Sequence, residues 1–298
     1  MSGPKCFGKF GRASKMELLS AELTPETGLY NIPADAYRAL PYVNNSGLSQ
    51  LRKSPAHLRW ALDNPSHKTP ALLLGEAAHY AILEPVAFDL RYACSPGFDR
   101  RTTAGKQAFA TWAKENEGKT ILSPDDFFTV KEMAFSVLSH SSAGALLGAD
   151  RETELTAIWI DKPTDVICKA RIDAISTEFH APIDIKTTED ASRHAFERSI
   201  FKYGYHRQAA FYLEGLRACG REYDHFVFVC VEKSPPYSVA IYRLSEDSIE
   251  LGRKEIRQLL DLYKRCELFE DWPGYPEHVQ DISLPAWAQK QTQEDLGL

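Results

Sequence analysis

Residues 166–188 read VICKARIDAISTEFHAPIDIKTT. VICKARI (166–172) and PIDIKT (182–187) are short, apolar and rich in β-branched residues, as expected of strands. Upstream, LTAIWI (155–160) has the same character, and the DKPTD between it and VICKARI supplies the Asp and Pro of a tight turn. The three runs are expected to form a hairpin followed by a third short strand. Asp173 then falls at the end of the second strand and Asp184 lies in the third. Lys186, two residues on, shares the face of Asp184. If the strands are neighbours, two carboxylates and an ammonium converge. Hard carboxylate oxygens suit Mg²⁺, which keeps several waters and takes one or two carboxylates plus substrate phosphate. D-x-K alone is a common tripeptide, but its frame here is I-D-I-K, and charges at the end of a buried strand are costly unless paired or ligating an ion.

Helices are expected on either side of these strands. ALLLGEAAHYAILE (71–84) is rich in Ala and Leu and is closed by Pro85. Around 45–62, apolar residues recur at helical spacing with Pro55 as a break, and further helical patterns cover 106–117 and 124–147, after a loop at 96–106. Beyond the third strand, helices are expected near 191–201 and 205–218. HFVFVCVE (225–232) is a continuous apolar run, typical of a strand covered on both faces. SVAIYRL (238–244) alternates beside it, and a helix over 245–268 follows. With no internal repeat, this order predicts one α/β domain over 29–298, a mixed sheet flanked by helices. Residues 1–28 are expected to form a flexible tail.

The chain has 298 residues, 44% hydrophobic and 26% charged, enough for a sizeable core. Without an apolar run of bilayer length or a signal-type segment, a soluble cytoplasmic protein with no membrane partner is expected. The six cysteines (6, 94, 168, 219, 230, 266) show no zinc-ribbon or CxxC spacing. A net charge of −6 is unlike a protein that coats DNA. Nucleic-acid contact would therefore need a local basic surface. The stretch 186–221 has that character, with seven Lys or Arg against four Asp or Glu.

Further candidates stand outside the strands. Gln208 and Tyr212, four apart in YGYHRQAAFYLEGL (203–216), share a helix face. His79 sits in an apolar helix, where a hydrogen-bonded core histidine and a metal ligand are both open readings. Glu76, one turn earlier, is either its partner or a solvated side chain. Arg100, Arg101 and Lys106 of FDRRTTAGK are either a grip for a 5′ phosphate or duplex backbone, or a solvated loop.

D-x10-D-x-K, followed about twenty residues later by Q-x3-Y, resembles the PD-(D/E)XK nucleases of RecB-like type. The finer resemblance is to the exodeoxyribonuclease VIII (RecE-type) phage recombination exonucleases. It runs in order through GLSQLRKSPAHL, LGEAAHYAILEP, FDRRTTAGK, ICKARIDAI, IDIKTTEDAS, YGYHRQAAFY and ISLPAWAQ. The resemblance implies a restriction-endonuclease-like fold and a metal (Mg²⁺, with Mn²⁺ able to substitute) held by His79, Asp173, Asp184 and the backbone carbonyl of Ile185. Lys186 would assist the water, Gln208 and Tyr212 would hold substrate, and Glu154 matches a recurrent Glu before the first strand. Ile172 replaces the name-giving Pro. The activity implied is digestion of linear double-stranded DNA from 5′ ends, leaving 3′ tails for a single-strand annealing protein of RecT type. The assembly implied is a ring-shaped homo-oligomer, a tetramer. A catalytically silent DNA-end-binding protein and a nuclease of other polarity or single-strand preference are the alternatives. Some RecB-like nucleases carry an iron–sulfur cluster on four cysteines; the spacing here predicts none.

Overall fold

The computed structural model describes residues 26–64, 69–99, 101–148 and 150–297. Within them the chain begins with β1 (Gly28–Tyr30), α1 (Ala34–Ala39), α2 (Asn45–Leu51), α3 (Pro55–Asp63), α4 (Pro70–Leu83) and α5 (Pro85–Arg91). Next come β2 (Tyr92–Cys94), α6 (Thr103–Glu115), β3 (Thr120–Leu122), α7 (Pro124–Ser139) and α8 (Ser141–Leu146). The central strands are β4 (Arg151–Asp161), β5 (Val166–Ser176) and β6 (Ala181–Thr188). Helices α9 (Arg193–Tyr203) and α10 (Tyr205–Ala218), strands β7 (Val227–Glu232) and β8 (Val239–Arg243), and helices α11 (Glu246–Phe269) and α12 (Ala286–Leu296) complete the order.

Six strands form one mixed sheet in the order β1-β4-β5-β6-β7-β8. Only β6 and β7 run parallel within it; the other pairs are antiparallel. A small parallel sheet joins β2 and β3. One face of the large sheet packs Ala170, Ile172, Phe226 and Phe228 against α2, α3, α9, α10 and α11. The other packs Ala174, Ile183, Ile185, Val227 and Val229 against α4, α5, α7 and α8. The sheet is therefore apolar on both faces, which explains the continuous hydrophobicity of β7. A charge on a strand interior is buried by default.

The hairpin is longer than its apolar residues announce: β4 and β5 stay in register from Arg151↔Ser176 to Asp161↔Val166. Asp173 therefore lies inside β5, not at its end. The helical pattern over 124–147 is two helices, because His140 leaves the helical conformation and its Nδ1 accepts from Ala143 N–H at 3.2 Å to cap the second. Helix α6 starts at Thr103, its first turn capped by the Thr102 hydroxyl accepting from Gly105 N–H. Lys106 thus stands on a helix. In the C-terminal segment Trp272 meets Tyr263 edge-on at 5.8 Å and Tyr275 lies 5.6 Å from His57, both within the chain, whereas Trp287 on α12 is exposed. Residues 1–25 of the expected tail lie outside the described residues. Among those described, no helix is long and apolar enough to cross a membrane.

Candidate active site

The β5–β6 ladder has its last pair at Ala174↔Ile183. Beyond it the strands part, and the Asp173 side chain takes over from the backbone: its Oδ2 accepts the Ile185 N–H at 2.8 Å. The parting leaves the next backbone groups free to face inward. Ile185 also presents its carbonyl, 2.8 Å from His79 Nε2.

His79 reaches this point because α4 lies close on the sheet. Thr69 caps the helix by accepting from Leu72 N–H, and Pro70 opens it. Ala77, Ala78 and Ala81 are buried, so short side chains let the axis approach β6. The His79 ring is clamped at both nitrogens. Nδ1 donates to the Gly75 carbonyl at 2.7 Å, and Nε2 faces the Ile185 carbonyl and, at 3.1 Å, Asp173 Oδ2. Carbonyl oxygens only accept, so a ring that hydrogen-bonds to both carries two protons and a charge. Burial opposes that charge, but the Asp173 carboxylate beside it prevails and pushes His79 up to about 10. Asp173 answers in kind: burial works to raise it, and the His79 charge holds it below the usual carboxylate range.

Asp184 and Lys186 share the opposite face of β6, as their spacing requires. Lys186 Nζ lies 2.6 Å from Asp184 Oδ2, off the line of a hydrogen bond, and donates to Gln208 Oε1 at 2.9 Å. Gln208 Nε2 in turn donates to Asp184 Oδ1, closing a three-membered ring of side chains. Asp184 is 2% exposed, and its Oδ2 has no hydrogen-bond donor among the described residues. Burial, with the like charge of Asp173 adding to it, raises Asp184 from its ordinary 3.8 to about 6. Burial would lower Lys186, but Asp184 raises it above its ordinary value, so Lys186 is an ammonium. Its Nζ also sits 4.4 Å over the Tyr205 ring. One helical turn beyond Gln208, Tyr212 is held protonated by burial.

Glu154 lies across from Asp173 on β4 in the left-handed region, at φ 55°. A non-glycine residue there is strained by about 1–3 kcal/mol, a cost that surrounding contacts must maintain. Its carboxylate pairs with Arg171, which also donates to the Ile32 carbonyl at 2.7 Å. Burial and then the Asp173 charge raise the Glu154 carboxyl. A cavity of about 800 Å³ opens over His79, Asp173, Glu154, Arg171, Ile185 and Lys186. Asp184 and Gln208 do not line it; they stand behind Lys186.

Other candidates lie elsewhere. Arg101 is exposed and paired to Asp99, and neither it nor exposed Lys106 lines this cavity. Arg100 lies outside the described residues. Glu76 pairs with Arg38 at 2.6 Å. The sequence reading missed Arg171, although its place two residues before Asp173 on one strand is a usable signal. It also missed Arg38, Tyr203, Tyr205 and Lys233, which come to the cavity from elements whose approach no local pattern encodes.

The donor set fits a small divalent cation. His79 Nε2 lies 3.1 Å from Asp173 Oδ2 and 2.8 Å from the Ile185 carbonyl. Neighbouring ligands of an octahedral ion with bonds of ~2.1 Å stand ~3.0 Å apart. The Nδ1–H bond to Gly75 leaves Nε2 as the ligand nitrogen once its proton departs. Among the described residues no three His, Cys, Asp or Glu side chains form such a group by themselves. The third donor is a backbone oxygen, and the further carboxylate oxygen, Asp184 Oδ2, is held by the Lys186 ammonium at 2.6 Å.

Residues 44–285 match the family described as PDDEXK-like domain of unknown function (DUF3799). No curated protein matches the chain. Among solved structures, the crystal structure of a "Putative exonuclease" from Eubacterium rectale covers 88% of this chain and 98% of that one, at 13% identity and a TM-score of 0.56. At that identity the likeness is one of fold. The crystal structure of SSO0001 covers 83% of this chain and 82% of that one, at 15% identity and a TM-score of 0.33, and carries no argument.

Proposed function

Because the chain belongs to the PDDEXK-like family, with its restriction-endonuclease-like fold, we propose that it is a Mg²⁺-dependent exodeoxyribonuclease of RecE type, with Mn²⁺ able to substitute. The observation that carries the nuclease reading is the meeting of His79 Nε2, Asp173 Oδ2 and the Ile185 carbonyl beside the Lys186–Gln208–Asp184 ring. His79, Asp173 and the Ile185 carbonyl would hold the metal, with Asp184 Oδ2 joining them. A bound ion would offset the negative charge on the phosphoryl oxygens and make a water more acidic. Lys186 donates from its ammonium to the attacking water or to a phosphate oxygen. Gln208 fixes the Lys186 ammonium in place, and Tyr212, kept as a phenol, stands one turn beyond it on α10. Glu154 and Arg171 line the same cavity as Lys186.

The finer reading rests on the sequence resemblance. It has linear double-stranded DNA digested from 5′ ends to leave 3′ single strands for an annealing protein of RecT type. A ring of four subunits would let the enzyme remain on one duplex despite a net charge of −6. The reading includes no iron–sulfur cluster and a cytoplasmic location. The deciding assay offers end-labelled linear duplex and covalently closed circles with Mg²⁺ or with EDTA. Release of 5′ nucleotides from linear DNA in Mg²⁺ alone is the expected result. Retention of ends without any hydrolysis identifies the DNA-end-binding alternative, and cutting of closed circles refutes end recognition. Light scattering should give four times 33.5 kDa; a monomer that digests long duplex processively would refute the ring.

A further inference from the structure

Lys186 divides one groove into two lobes. The larger holds His79, Asp173 and Glu154; the smaller, about 570 Å³, lies on the other side of Lys186. Both lobes share Lys186, Thr187, Tyr203, Tyr205 and Lys233. Of the residues assigned above to hydrolysis, Lys186 alone lines the smaller lobe.

That lobe is built around a tyrosine platform. Gly204, at φ 69°, ends α9 and begins α10, which puts Tyr203 and Tyr205 on either side of the bend. A side chain at 204 would collide with the Arg207 guanidinium at 2.4 Å. The Tyr203 ring lies 5.6 Å from that of Tyr205, at 29°. Tyr205 is fixed by Phe196 and Phe228 on the core side and by the Lys186 ammonium. Tyr203, by contrast, is 52% exposed, with the exposed Lys202 ammonium over its ring, 5.1 Å from the centre. Four cations line the lobe (Lys186, Arg198, Lys202 and Lys233) against two acids, Asp190 and Glu189, the latter paired with Lys233. An exposed aromatic ring backed by a second ring and surrounded by cations suits a ligand with a flat face and a phosphate. A volume of this size holds one small molecule rather than a duplex.

We propose that the smaller lobe seats a single unpaired nucleotide adjoining the phosphodiester offered to Lys186. Its base stacks on Tyr203, and its outer phosphate is held by Arg198, Lys202 and Lys233. The proposal rests on the nuclease reading above. A base inside a duplex has both faces covered by its neighbours, so the strand must leave its complement before a base can lie on Tyr203.

The test uses fluorescence anisotropy in EDTA with two probes of equal length, a labelled oligothymidylate and an oligomer of abasic residues with the same phosphates. The wild-type protein is expected to bind the first more tightly, by roughly 5- to 100-fold, the range of one base–aromatic stack. Tyr203→Ala should abolish the preference, Tyr203→Phe should restore it, and Arg198→Ala should weaken both probes alike. Equal binding of the two probes by wild type, no binding of either, or an undiminished preference in Tyr203→Ala overturns the proposal. Digestion in Mg²⁺ is scored separately. A base preference without hydrolysis refutes the nuclease reading alone, and hydrolysis without a base preference refutes this one alone.

Discussion

Asp184→Asn offers a test in which stability and activity should move in opposite directions. The carboxylate is 2% exposed, and burial with the Asp173 charge lifts it from 3.8 to about 6. The shift already includes the attraction of Lys186 at 2.6 Å. At 1.36 kcal/mol per pH unit, ionised Asp184 costs the metal-free fold about 3 kcal/mol at neutral pH. The sign follows from which state binds the proton more tightly. The folded pKa is the higher one, so the contribution is intact below pH 3.8 and is lost as pH rises to 6. The amide resembles the protonated acid in size and polarity, keeps one oxygen, which can face Gln208 or Lys186, and does not ionise. In EDTA at pH 7 the variant is therefore expected to melt higher than wild type, by roughly 6 °C at ~2 °C per kcal/mol for a chain of this size. Hydrolysis should nevertheless fall by roughly a hundredfold or more, because the acceptor proposed to complete the metal site has lost its charge. Differential scanning calorimetry gives the first number and release of label from linear duplex the second. Full activity at saturating Mg²⁺ would remove Asp184 from the site. A lower melting temperature would show that the carboxylate is stabilised by its surroundings, and the burial argument would fail.

Lys186→Met should reduce turnover by roughly a hundredfold while DNA affinity persists; lost affinity with unchanged turnover of bound DNA would make Lys186 a phosphate grip instead. Gly215→Ala places a methyl 2.6 Å from the Trp159 ring, which is buried against Phe211 at 4.7 Å. Urea unfolding should show a loss of roughly 1–3 kcal/mol, and an unchanged midpoint would mean that α10 shifts freely on the sheet. Burial lowers Lys169 from 10.5 to about 8, with its Nζ donating to the Tyr37 and Leu40 carbonyls. That penalty is complete below pH 8 and fades toward pH 10.5, so wild type should gain stability relative to Lys169→Met across this window. A difference that stays flat with pH would show that water reaches the ammonium.

The strands around Asp173 and Asp184 were legible because a sheet covered on both faces must be written in β-branched and small apolar residues, and because a period of two fixes which charges share a face. Helix α4 was legible from its alanines and its closing proline. The extension of β4 and β5 past Leu155 and Ile172 was not, since RETE (151–154) and DAIS (173–176) are polar or mixed. Strand β1 and the β2–β3 pair are three residues each, too short for any period to show. Within the site, the spacing of Asp184 and Lys186 gave their common face. Two features depend instead on the crossing of α10 and α4 over opposite faces of one strand: the placement of Asp184 behind Lys186, and the docking of His79 on the Ile185 carbonyl. No stretch of sequence records such a crossing.

Ile185 serves the site through main-chain atoms, while its side chain is wholly buried in the core. Codon changes at 185 therefore alter packing and leave the contacting N–H and C=O in place. A saturation-mutagenesis map would classify the position as structural. Its part in the chemistry is accessible to backbone editing. An ester in place of the 184–185 amide deletes the donor to Asp173, and one in place of the 185–186 amide weakens the carbonyl facing His79. Semisynthesis with those two esters would separate the two roles of a residue that conventional genetics sees as filler.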